Sequence, residues 1–318
     1  MGGDRAPAEI IAGARAAAER YGTPVLLVGR PDVLEGHDLG GLPVLAASEV
    51  IEMHDDGASA VRRKKDSSLV RAAEAVRDGT ASAMVSAGNT GATMASALLR
   101  MGRIKGVARP AVATPITVPG ALPTTLLDAG ANADCAPEWL VQFAQMGSVY
   151  ATHRFGIAVP RVGLLSIGEE SSKGNALVKE AHELLAKQAG LNFVGNVEGR
   201  DVMTDRVDVV VTDGFTGNVV LKTLEGGMKT VVGALLEAFG SSPENTAHAA
   251  ALMPALTPLY ESLDPETYGG AMLLGVDGVC IISHGSSSSR AIVNAISVAR
   301  EMVEHDLVGA LRAAIAVH

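Results

Sequence analysis

One pattern recurs along this chain: a short β-branched or aliphatic run, a polar turn containing glycine, then a helix with apolar residues three and four apart. Five copies stand out. Ser82–Ser86 runs into Ala87-Gly88-Asn89-Thr90-Gly91, Thr124–Asp128 into Ala129-Gly130-Ala131-Asn132, and Val162–Ile167 into the Gly168–Gly174 turn. Val207–Thr212 leads into Asp213-Gly214-Phe215-Thr216-Gly217-Asn218, and Val276–Ser283 into His284-Gly285-Ser286. Strands separated by helices need crossover connections, so the expected fold is α/β: a layered, mostly parallel sheet with helices on both faces. Ligands in such sheets bind beyond the carboxyl ends of the strands, where all five turns are expected, so one shared cleft is predicted.

No stretch rich in Pro, Gly or Ser divides the chain, and residues 1–318 are read as a single catalytic domain. One segment breaks the rhythm. Residues 241–268 carry Pro243, Pro254, Pro258 and Pro265 among apolar side chains, which predicts an inserted helical hairpin. Leu252, Met253, Leu256 and Leu259 would be exposed there unless a second subunit or a membrane surface covers them. With 47% apolar but only 3% aromatic residues, the core must be built from Ala, Val, Leu and Ile.

A formal charge of −9 argues against a nucleic-acid partner. Cys135 and Cys280 stand far apart in no ligand spacing, so neither a disulfide framework nor a metal site is expected, and the cytoplasm is the expected compartment. After Met1-Gly2-Gly3-Asp4-Arg5 comes an amphipathic helix pattern rather than a signal peptide, and Asp277 interrupts the longest apolar stretch. A membrane would be touched, not crossed.

Several side chains suit anion chemistry. The Gly88-Asn89-Thr90-Gly91 turn is a common way to start a helix, and it also offers backbone N–H groups and the Thr90 hydroxyl as a phosphate cradle. Lys173 is either a solvated surface cation or an ammonium over the cleft, ahead of a helix starting near Asn175. Asn218, expected in the first turn of a helix running to about Phe239, either caps that helix or points its amide at an oxyanion. His284 has a cleft position without a matched acid, and no nucleophile elbow marks a serine. Arg62-Arg63-Lys64-Lys65 is a dense basic run in an acidic chain; Asp66-Ser67-Ser68 would open a helix that holds it, suited to steering an acidic protein.

Taken in order, these motifs resemble the phosphate acyltransferase family of bacterial phospholipid synthesis, the acyl-carrier-protein:phosphate transacylases. The resemblance is carried nearly end to end by Met1-Gly2-Gly3-Asp4, Arg62–Ser68, Ser86–Gly91, Gly168-Glu169-Glu170, Lys173-Gly174-Asn175, Gly195–Asp201, Asp213–Asn218 and Ser283–Ser287. It implies a fold similar to isocitrate and isopropylmalate dehydrogenases and to phosphotransacetylases, a homodimer, and no cofactor. It implies Lys173 and Asn218 as catalytic residues, and a phosphate and substrate site that includes Gly88, Asn89, Thr90, Gly91, Asp213, His284, Asp4 and Asn132. It further implies acyl carrier protein as donor, inorganic phosphate as acceptor, membrane contact through 241–268, and a downstream membrane glycerol-3-phosphate acyltransferase as partner. Two departures stand out: the family carries a short β-strand and an Asp-Ala before the Met-Gly-Gly-Asp motif, where this sequence opens at Met1, and Ala136 stands where many relatives have Lys.

The expected reaction is direct attack of phosphate on the thioester of acyl carrier protein. A phosphotransacetylase-like enzyme using acyl coenzyme A is the nearest alternative, and a non-catalytic phosphate- or lipid-sensing scaffold the other. A dehydrogenase is disfavoured because no dinucleotide fingerprint follows a strand.

Overall fold

The computed structural model describes residues 1–316; residues 317 and 318, the last of the expected single domain, lie outside the described part. The chain begins with α1 (Ala8–Tyr21), β1 (Leu27–Gly29), α2 (Pro31–Leu34), β2 (Val44–Ala46), α3 (Gly57–Arg63), α4 (Ser68–Arg77), β3 (Ala83–Ser86) and α5 (Thr90–Arg100). It continues with β4 (Ala111–Ile116), β5 (Thr124–Leu127), α6 (Pro137–Phe155), β6 (Val162–Leu165), α7 (Ala176–Leu185), β7 (Phe193–Val197) and β8 (Val209–Val211). The last third holds α8 (Gly214–Phe239), α9 (Pro243–Leu263), β9 (Ala271–Leu274), β10 (Val279–Ile282), α10 (Ser289–Glu304) and α11 (Leu307–Ala316).

Strands β5, β6, β8 and β10 are buried at every residue, as required of strands covered on both faces. They belong to an eight-stranded sheet of order β3-β10-β9-β4-β5-β8-β6-β7. On one face Phe143, Met146 and Tyr150 of α6 pack with α11 over Leu127 and Val209; on the other α3, α4, α5 and the start of α8 pack over Leu126 and Val210. The α/β layering is as expected.

The sheet is mostly parallel, as expected, with antiparallel pairings near its middle. β3 and β10 are parallel, β9 is antiparallel to both β10 and β4, and β4 is antiparallel to β5, after which β5, β8, β6 and β7 run parallel. One rung runs Ile281–Met272–Ala113–Leu127–Val211, and from it β3 and β10 leave one edge of the sheet while β5, β8 and β6 leave the opposite edge. The five polar turns therefore do not line one edge, which corrects the expectation of a single shared cleft. The reversals come from β4, which pairs hairpin-like with β5, and from β9; neither β4 nor β9 has the strand–turn–helix signature. What the two groups of turns share is a face, because α5 and the first turns of α8 pack on the same apolar cluster.

The 241–268 segment also differs from expectation. It holds one long helix, α9, carrying Pro254 and Pro258 inside it, and a 3-10 turn over Pro265–Tyr268, and the hairpin is made by α9 with the 26-residue α8. Thr117 Oγ1 donates to Ser262 O at 3.0 Å and ties the end of α9 back to the body.

β1 and β2 form a separate parallel pair. Between the free edges of β1 and β3 lies a cavity of about 940 Å³, lined by Leu27 and Val28 on one side, Met84 and Val85 on the other, Leu69 and Ala72 of α4, Ile11 and Ala14 of α1, and Met1. A strand residue fills roughly 3.3 × 4.8 × 10 Å, ~160 Å³, so the cavity has room for about six.

Candidate active site

The carboxyl ends of β5 and β8 are locked to each other. Asp128, fully buried just past β5, accepts from the N–H groups of Val112 (3.0 Å), Gly130 (3.1 Å) and Ala131 (2.9 Å) through Oδ1, and from the Asn132 N–H and Nδ2 (both 2.8 Å) through Oδ2. Gly214 N–H then donates to Asn132 O at 2.7 Å, which seats the start of α8 on this turn. Asp213 caps α8, accepting from the Thr216 N–H and hydroxyl, both at 2.8 Å. Asp213 and Asn132 thus support the local backbone through these bonds; Asn132 Nδ2 also donates to Pro110 O at 2.8 Å.

Asn218 lies one turn further along α8 than expected and is exposed; its Nδ2 makes a single long bond, 3.4 Å, to Ala129 O. The cap is Asp213, so Asn218 is not a capping residue, and its amide is free to serve a ligand.

Beyond β6, the Gly168–Gly174 loop carries Lys173. Asn175 caps α7 through the Val178 N–H at 2.9 Å, as the expected helix start near Asn175 requires. Glu169, the acid nearest in sequence, is taken by Arg206 at 2.7 Å, and Lys173 is exposed with no ion pair among the described residues. β6 and β8 are neighbouring parallel strands, so Lys173 and Asn218 belong to one edge of the sheet.

The opposite edge gathers Asp4, the Gly88–Gly91 turn and His284. Asp4 N–H donates to Gly285 O at 2.9 Å, and a Cβ at Gly3 would lie 2.6 Å from Ala87 O, so these segments touch. Asn89 is buried and committed: its Oδ1 caps α5 through Ala92 N–H, and Nδ2 donates to Glu52 O, Met53 O and Asp55 O. Gly88 N–H is taken by Ser86 Oγ at 3.1 Å. As a phosphate cradle the turn is therefore reduced to its exposed half, Thr90 and Gly91. His284 is exposed, with Nδ1 2.7 Å from Ser286 Oγ.

The basic run ends α3, where the helix dipole favours cations, and α4 opens at Ser68 just beyond it, as expected. Arg62, Arg63 and Lys65 are exposed, but Lys64 is bound to Asp55 at 2.6 Å and to Val50 O. On α9, Leu252, Met253 and Leu259 are exposed and Leu256 half-buried. Burial above all, with Asp128, Asp213 and Asp134 nearby, pushes the Cys135 thiol up to about 12 despite a hydrogen bond from the Gly214 N–H, and burial does the same to Cys280. Neither is a thiolate nucleophile near neutral pH. Among the described residues no cluster of His, Cys, Asp or Glu can hold a metal ion, and no helix is long and apolar enough to cross a membrane.

Sequence reasoning missed Asp128. A carboxylate at the last position of an apolar strand, followed by Gly130 and Asn132, was the available signal.

The family model described as fatty acid synthesis protein matches residues 1–309. The phosphate acyltransferase of Pelotomaculum thermopropionicum is 51% identical, covering 99% of this chain and 93% of that protein. The phosphate acyltransferase of Heliobacterium modesticaldum is 49% identical, covering 98% and 95%. Among solved structures, a phosphotransacetylase from Staphylococcus aureus superposes with a TM-score of 0.61 at 14% identity, covering 93% of this chain and 91% of that one. A branched-chain phosphotransacylase from Enterococcus faecalis gives 0.61 at 15% identity, covering 96% and 98%, and a 4-hydroxythreonine-4-phosphate dehydrogenase from Klebsiella pneumoniae gives 0.51 at 13%, covering 93% and 95%. At such identities the likeness is one of fold.

Proposed function

The chain belongs to the fatty acid synthesis protein family, and from that membership we propose that it transfers a long-chain fatty acyl group from acyl carrier protein to inorganic phosphate, supplying acyl phosphate for phospholipid synthesis. The site assignment is supported by Lys173 and Asn218 following neighbouring parallel strands, β6 and β8, with Lys173 in no ion pair among the described residues and the Asn218 amide exposed. Lys173 holds the phosphate dianion. A phosphate oxygen attacks the thioester carbonyl carbon, the carbonyl oxygen becomes anionic beside Asn218 Nδ2, and collapse breaks the C–S bond, releasing the carrier thiolate, which takes up a solvent proton. Inert cysteines support a reaction without a thioester on the enzyme.

Thr90 and Gly91 begin α5 at the opposite edge of the sheet and are the candidates there for a separate anion contact. Arg62, Arg63 and Lys65 steer the acidic carrier, and the exposed apolar side chains of α9 meet a second subunit or rest on a membrane surface, next to a membrane-bound acyltransferase that consumes the product.

Purified protein given phosphate and a palmitoyl thioester tests the reading. Acyl phosphate should form from the carrier-protein thioester faster than from the coenzyme A thioester. The reverse preference would favour a phosphotransacetylase-like enzyme, and no product from either would leave a non-catalytic scaffold. A raised phosphate KM in Thr90→Ala is expected if α5 shares the site, whereas an unchanged KM confines it to the β6–β8 edge.

A further inference from the structure

We propose that Asp128 is a positioning residue for the reaction: its buried carboxylate fixes the 129–132 turn as the platform that sets the Asn218 amide. The inference rests on the reading of Asn218 as the donor to the carbonyl oxygen. Asp128 takes five N–H donors at 2.8–3.1 Å and has no ion-pair partner among the described residues, so its acceptor capacity is spent on holding this one turn. A carboxylate with that many backbone donors fixes the positions of Gly130, Ala131 and Asn132 relative to β4.

The platform meets α8 with almost no clearance. A Cβ at Gly217 would stand 1.9 Å from the Asp128 carbonyl oxygen, and one at Gly214 2.6 Å from Asn132 O and 2.8 Å from Asp128 Oδ2. Gly130, at φ +142, would place a Cβ 3.0 Å from Asn218 Nδ2, and the neighbouring Ala129 O accepts that amide at 3.4 Å. Asp128 therefore reaches the donor through two routes, the turn that contacts the amide and the helix that carries it. Asp128 is buried, so its role is to hold the group that touches substrate.

Asp128→Asn puts an NH₂ where N–H donors converge, and should lower kcat tenfold or more with KM for phosphate unchanged within about twofold. Gly130→Ala should do the same without touching the carboxylate, and it carries the test if Asp128→Asn fails to fold. In an Asn218→Ala background Gly130→Ala, and Asp128→Asn where it folds, should cost almost nothing further, because the group they position is gone. Losses that multiply with Asn218→Ala, or a Gly130→Ala enzyme with wild-type kcat, would overturn the proposal. An Asn218→Ala enzyme of full activity would instead overturn the reading of Asn218 on which it rests.

Discussion

Lys173 and Asn218 are exposed and contribute little to the fold, so truncating them separates chemistry from stability. Lys173→Ala and Asn218→Ala should each reduce turnover by about 10²–10³ while changing unfolding free energy by no more than about 0.5 kcal/mol, measured by assay and urea titration on the same preparations. Asn89 should behave the opposite way. Its side chain caps α5 and satisfies three loop carbonyls, so Asn89→Ala should cost about 2–4 kcal/mol of stability, and any activity lost should track the unfolded fraction. The sequence distinguished these residues poorly because Asn89 and Asn218 both follow a glycine in a polar turn at a helix start. Which of the two spends its amide on the protein depends on a loop, Glu52–Asp55, that is distant in sequence.

Strand, turn and helix placement was legible wherever periodicity was local. The β6, β8 and β10 runs, the helix start at Asn175 and the end of α8 at Phe239 all stand where the apolar spacing put them. The antiparallel pairings were not legible, because β4 and β5, like β9 and β10, follow one another with no helix between to announce a crossover. Pairing of β6 with β8 rests partly on a clamp at their amino ends, where Arg161 donates Nε and Nη2 to Asp208 at 3.0 and 2.9 Å and its N–H donates at 2.7 Å. Burial alone would raise the Asp208 carboxyl; the Arg161 guanidinium and N–H more than offset it and hold the group below its ordinary value. Asp208 therefore stabilises the fold above the unfolded carboxyl range, about pH 3.9, and this contribution is lost as pH falls from there through the folded value. Asp208→Asn should lower stability at neutral pH and flatten its acid dependence; an unchanged acid slope would dismiss the clamp. At α9, replacing Leu252, Met253 and Leu259 with Gln should leave the melting temperature unchanged and abolish co-flotation with anionic vesicles if a membrane is what covers them.

At the scale of the whole molecule, the sheet layer is interrupted between β1 and β3 although helices cover both faces there, and that space sets a limit on stability. Ala72, on α4 and lining the cavity, should accept Leu: burying three more carbons gives roughly 1–2 kcal/mol, read as a higher urea midpoint with unchanged slope. A lower midpoint would mean the space is not open to side chains. The cavity holds none of the residues Lys173, Asn218 or Asp128, so this change should leave kcat untouched. The account as a whole stands on acyl transfer to phosphate occurring at the edge where β6 and β8 end, and radiolabelled inorganic phosphate tests it most directly. Incubated with a carrier-protein thioester, wild-type protein should place the label in acyl phosphate, and Lys173→Ala and Asn218→Ala should do so at least a hundredfold more slowly. Label incorporated at wild-type rates by both variants would contradict the account.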